Sequence, residues 1–241
     1  LDGRDLVLPL KSAHHPASYF SWPKCQARED IMIGIPLGLI YANATEWIFH
    51  KYVLHGVGKN RNSFWSFHWH DHHKNSRQHG MLDDQYVEGL FAGWTPQSKE
   101  VLALAGGALV HLPLLPVAPF FVGTVFYSGI HYYRVHKKSH LDENWAKKNV
   151  PWHWDHHMAP DQDCNWGVTR PWFDHILGTR KVYLNSPEEI ESRPRREKVQ
   201  ERYKEKLRMV QEARRKLSKE GIRARVSHMR KARQERKEMA V

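Results

Sequence analysis

The chain has 241 residues, a formal charge of +11 at neutral pH and only two cysteines. That length suits one large domain or a domain with an appendage, and Cys25 and Cys164 lack metal-type spacing, which excludes a disulfide framework and suits a reducing compartment. Residues 186–241 hold 19 Lys/Arg against 10 Asp/Glu, so the charge excess belongs to the tail and does not make the whole chain a nucleic-acid binder.

The opening LDGRDLVLPL carries charges where a signal peptide has its apolar run. Residues 31–49, IMIGIPLGLIYANATEWIF, form the first apolar stretch, with Glu46 its only charge. At ~1.5 Å per residue it is just long enough to cross a bilayer core. A second stretch, residues 101–130, has no Asp, Glu, Lys or Arg and is interrupted by Pro113, Pro116 and Pro119. This pattern predicts a hairpin of two helices over about 99–112 and 117–135. Its arms are short for a full crossing, so a shallow re-entrant hairpin and a buried hairpin stand as alternatives to a spanning one. Lys51, Lys59 and Arg61 follow the first stretch, and Arg134, Lys137 and Lys138 follow the hairpin. By the positive-inside rule both ends lie on the cytosolic side. Pro151 and residues 161–165 predict loops. In the tail, Val199, Tyr203, Leu207, Val210 and Leu217 make a narrow apolar stripe on a helix that Gly221 is expected to end or bend. That helix reads as a solvated charged helix, or as a basic arm against anionic headgroups or a partner helix.

The expected fold is all-α: a membrane helical bundle with a cytosolic histidine-rich helical cap and a charged C-terminal helix. Its divisions are an N-terminal segment, 1–30, a membrane-embedded histidine-rich domain, 31–184, and the basic helical tail, 185–241.

Histidines cluster four times: HKYVLH (His50, His55), HWHDHH (His68, His70, His72, His73), HYYRVH (His131, His136, with His140 beyond) and HWDHH (His153, His156, His157). Each apolar stretch thus ends in one cluster and is followed by another. On an α-helix, i shares a face with i+3 and i+4, so His153, His156 and His157 can converge. The i, i+5 pairs lie about 140° apart and cannot easily chelate one ion from a straight helix. They can straddle two ions or use a frayed helix end. Packing so many imidazoles without metal would leave many polar atoms to satisfy. Eight or more exceed one tetrahedral zinc and suit two ions with open positions. Within the second cluster His68, one turn before His72, is favoured over His70, which is expected to lie outside the ligand set or exposed. Glu46, Asp71 and Asp155 are expected to orient the rings as outer hydrogen-bond partners.

These ordered clusters, with NWGVTRPWFDHILGT at 165–179, resemble the fatty acid hydroxylase/sterol desaturase superfamily, whose relatives include fatty acid 2-hydroxylases and carotene hydroxylases. The resemblance covers roughly residues 31–184. It implies an integral membrane enzyme of the endoplasmic reticulum or bacterial inner membrane, with two iron ions facing the cytosol. Their ligands would be His50, His55, His68, His72, His73, His131, His136, His153, His156 and His157, with His140 an alternative partner of His136. It also implies O2-dependent hydroxylation or desaturation of a membrane lipid (a fatty acyl, sterol or carotenoid), fed by cytochrome b5 or a ferredoxin with its reductase. The family usually has about four membrane helices, against three apolar segments here. A zinc-dependent lipid hydrolase and a membrane-anchored scaffold are the competing readings. No nucleic-acid partner is expected.

Overall fold

A computed structural model of the chain describes residues 26–87, 89–90 and 93–238. The segment before residue 26, which holds most of the expected N-terminal segment, lies outside the described residues. All regular structure among the described residues is helical.

Helix α1, Gln26–Ile48, runs without a break into a π-helical stretch, Phe49–Gly56. Here the Val57 N–H reaches back to the carbonyl of Tyr52, the i to i+5 bonding that widens the turn. A second π-helical stretch, His68–His73, leads into α2, Lys74–Gln78. The predicted hairpin follows as α3, Pro96–Leu109, and α4, Pro119–Leu141. Thr95 caps α3 by accepting from the Ser98 N–H at 3.2 Å. Pro119 opens α4, where its missing donor is not needed. Pro151 does the same for α6, Pro151–Met158, so it starts a helix rather than marking a loop. Between them α5, Glu143–Asn149, is capped by Asp142, which accepts from the Trp145 N–H at 3.0 Å.

Helices α1 and α4 pack tightly at Gly38, where a Cβ would stand 2.7 Å from the Thr124 Cβ. Below them, Met81, Ala146, Val150 and Trp154 form a buried cluster covered by Trp145, Trp152, Tyr183 and Leu184. Full burial of a side chain such as Met81 or Val150 contributes about 1.5–3 kcal/mol. A loop from residue 159 leads through α7, Trp172–Ile176, to the long α8, Pro187–Glu238.

Three further expectations change here. No helix among the described residues is long and apolar enough to cross a membrane. In α1 the apolar run is broken by buried Asn43, by Glu46 and by the π-helical turn at His50. The α3 arm, 14 residues, spans about 21 Å against a core of about 30 Å. Second, Gly221 neither ends nor interrupts α8. Third, of the predicted tail stripe only Tyr203 is buried, while Val210 and Leu217 are exposed. The docked face of α8 instead carries Glu189, Gln200 and Tyr203.

Candidate metal centre

The four histidine clusters meet beneath the α1–α4 pair in two adjoining groups. The first holds His50, His55, His68, His73 and His156, and the second His72, His136, His140 and His157, all buried. His153 joins the second through an Nε2–Nε2 distance of 3.2 Å to His140. Successive residues on a helix point about 100° apart. The adjacent pairs His72–His73 and His156–His157 therefore send one ring to each group, and the rings of His73 and His157 stack at 4.2 Å between them.

In the first group the Nε2 atoms face one another. His50–His68 and His55–His73 are 3.0 Å apart, His156 is 3.1 Å from both His55 and His73, and His68–His73 is 3.2 Å. Two ligand nitrogens about 2.1 Å from one ion, at right angles, stand about 3.0 Å apart. In the second group the Nε2 atoms of His72, His136 and His157 are buried without a hydrogen-bond partner among the described residues. Leaving such an atom unpaired costs about 1–3 kcal/mol, so the donor set fits a metal ion.

The other ring nitrogen is held from outside. His50 Nδ1 lies 2.7 Å from the Trp166 carbonyl, His156 Nδ1 2.6 Å from that of Cys164, and His140 Nδ1 2.8 Å from that of Met81. A carbonyl only accepts, so these nitrogens carry the proton and each Nε2 presents a lone pair to the centre. His72 Nδ1 donates to Asp83 at 2.9 Å and His136 Nδ1 to Glu100 at 2.5 Å, while Tyr86 Oη donates to the other Glu100 oxygen at 2.7 Å. His73 Nδ1 meets the Gln162 side-chain amide at 2.8 Å. Burial, reinforced by the neighbouring imidazoles, holds His68, His73, His153 and His157 well below the usual histidine pKa, and brings His156 down to about 4. These five rings are thus neutral near pH 7, the form that binds metal.

Several sequence expectations differ in detail. His131 lies outside both groups, half-buried and stacked on Tyr127 at 5.8 Å, whereas His140, expected only as an alternative, is inside. On the straight α4, His136 and His140 share a face and His131 does not. His68 is in the first group and His70 is not, its Nε2 facing the Lys59 carbonyl at 3.0 Å. His68 groups with His73, however, and not with His72, because the segment is π-helical. The expected carboxylates do not touch the rings. Asp71 is exposed, and Asp155 binds the Leu184 N–H and Arg180. Glu46 accepts from the Val168 and Thr169 N–H groups and the Thr169 hydroxyl. Asp83, Glu100 and the loop carbonyls take the orienting role. Nothing periodic marks them, although NWGVTRPWFDHILGT carries part of the signal. Its Asp174 accepts from the Trp166 and Gly167 N–H groups at 2.8 Å and from Trp47 Nε1 at 3.2 Å, which fixes the loop behind His50.

A cavity of about 520 Å³ borders the imidazoles, lined by His50, His68, His72 and His136 together with Leu39, Leu104, Ala108 and Val125. It is mostly apolar and within the usual size range of small-molecule sites. Tyr41 and His50 both line it, and their nine-residue separation corresponds to about 14 Å along the helix.

A model of the fatty acid hydroxylase family matches residues 35–179, more than half of the 241-residue chain. No curated protein and no solved structure gave a match. The matched span contains every imidazole of both groups, the carboxylates that hold them and the loop ordered by Asp174. With its paired histidine groups facing an apolar cavity, the chain belongs to the fatty acid hydroxylase family, within the fatty acid hydroxylase/sterol desaturase superfamily.

Proposed function

We propose that the chain is an O2-dependent lipid hydroxylase, or a desaturase of the same site, with one iron ion held by each histidine group. The observation that carries this reading is the pair of buried imidazole groups beside an apolar cavity, in a chain of this family. His50, His55, His68, His73 and His156 would hold one ion, and His72, His136, His140 and His157, with His153 alongside, the other. Bound iron would supply activation of O2 and attack on an unactivated C–H bond. The protein supplies the rest. The Trp166, Cys164 and Met81 carbonyls and the Asp83 and Glu100 carboxylates keep each proton on Nδ1 and each lone pair inward. The walls at Leu39, Leu104 and Val125 take an acyl or other apolar chain and keep water from it. Electrons would come from a separate carrier, such as cytochrome b5 or a ferredoxin with its reductase.

Membrane association is part of the same reading, by partial insertion. Ile33, Leu37 and Ile40 on α1 and Leu109, Val110, Leu114, Leu115 and Val117 at the hairpin tip are exposed large apolar residues. Such a patch suits a lipid surface. It would let a membrane-dissolved substrate reach the cavity while the histidines stay near water.

The test is metal analysis of the purified chain, O2 uptake with a reductant, and lipidomics of expressing cells. The control is a variant with His156 and His157 replaced by Ala. A product heavier by one oxygen marks hydroxylation, and one lighter by two hydrogens marks desaturation. Zinc in place of iron, with no O2 uptake, would sink the proposal in favour of a metal-dependent hydrolase.

A further inference from the structure

The family match ends at residue 179, yet the chain beyond it braces the second histidine group. Gly80 and Met81 follow one another with positive φ, 63° and 83°. For a methionine this is an uncommon backbone conformation. The bend aims the Met81 carbonyl at His140 Nδ1, 2.8 Å away. Two residues on, the Asp83 N–H donates to the His140 carbonyl at 3.0 Å and its carboxylate takes His72 Nδ1 at 2.9 Å. One short bend therefore orients two rings of one group.

Helix α8 grips that bend from the other side. Gln200, 3 % exposed, donates its side-chain N–H to the Gly80 carbonyl. A Cβ on Gly80 would stand 2.8 Å from Gln200 Cγ and 3.1 Å from Arg196 Cγ, so the two segments touch without slack. Tyr203 accepts from the Asp84 N–H at 3.3 Å and stacks on His79 at 3.6 Å. Arg196 lies 5.0 Å over the Trp154 ring, on the helix that carries His153, His156 and His157. The spacing 196, 200, 203 is a single helix face.

We propose that Gln200 and Tyr203 are positioning residues for the second metal site, acting through the Gly80–Asp84 bend on His140 and His72. This inference rests on the metal reading above. Outer partners of metal-bound histidines are typically worth 10–100-fold in affinity. Gln200 and Tyr203 act one bond further out, so a loss of about 10-fold is expected at this site alone.

The experiment is a cobalt(II) titration of the purified full chain in detergent, followed by visible absorption and by metal retained after gel filtration. The wild type should take two equivalents. In Gln200→Met and in Tyr203→Phe one equivalent should weaken about 10-fold with a changed absorption band, and the other should stay as in the wild type. Tyr203→Phe keeps the ring over His79, which guards against a result that reflects misfolding of the Gln200 variant. Leu217→Ser, at an exposed position further along α8, should titrate as the wild type. Unchanged affinity and spectrum in both variants would overturn the positioning role, as would equal weakening of both equivalents. A wild type that takes up no cobalt would instead bring down the metal reading, and this inference with it.

Discussion

His50 and His55 stand five residues apart in sequence, yet their ring centroids are 5.0 Å apart and both rings belong to one histidine group. On a straight α-helix they would diverge by about 140°. The π-helical bonding of Phe49–Gly56 adds one residue to the turn and brings them onto one face. His68 and His73 repeat the device, with centroids 4.8 Å apart.

Replacing His55 by Ala should therefore remove the first ion and leave the second. Bound metal should fall from about two ions per chain to about one, with lipid turnover down at least about 100-fold. His131→Ala and His70→Ala should keep the full metal content. Metal analysis of the three variants checks this, and loss of an ion from His131→Ala would return that residue to the ligand set.

Glu100 ties His136 to Tyr86 in a buried chain of hydrogen bonds. Glu100→Ala strands both partners, so stability should drop by about 2–4 kcal/mol and metal affinity by about 10–100-fold. Glu100→Gln keeps an acceptor and should show a smaller loss of both. Denaturant melts together with a metal titration separate the two effects.

Asp174, fully buried, receives two backbone N–H groups, Trp47 Nε1 and the Thr179 hydroxyl. Asp174→Ala should destabilise the fold by about 3–5 kcal/mol, because several buried donors lose their acceptor together. It should also weaken the first ion, since the Trp166 carbonyl behind His50 is carried by the same loop. A melting temperature within about 2 °C of the wild type would contradict this account.

Ala108 lines the cavity from α3, a helix that carries none of the grouped histidines. Ala108→Phe should leave the metal content unchanged while lowering turnover of long-chain lipid by about 10-fold or more, with shorter chains less affected. Product profiles across chain lengths provide the measurement. Equal loss at every length would point to a disturbed metal centre instead.

The sequence by itself determined that four histidine clusters follow two apolar stretches, that prolines break the second stretch into a hairpin, and to which superfamily the pattern is similar. Local spacing carries such information because capping, proline chemistry and face periodicity act within a few residues. It could not divide the rings between two groups. HKYVLH and HYYRVH have the same spacing and opposite outcomes: a π-helical turn unites His50 with His55, while the regular α4 separates His131 from His136 and pairs the latter with His140. That choice depends on what each helix packs against, which spacing does not encode. The partners of the rings were hidden for a related reason. Asp83, Glu100 and the carbonyls of Met81, Cys164 and Trp166 come from chain segments that only the folded backbone brings to the site. Tertiary structure also gave Glu46 partners at Val168 and Thr169 and Asp155 partners at Arg180 and Leu184 in place of the rings, and docked α8 through Gln200 and Tyr203, the one stripe residue that is buried. Buried polar groups take whichever partner the fold delivers, because an unpaired one costs more than a local preference can repay.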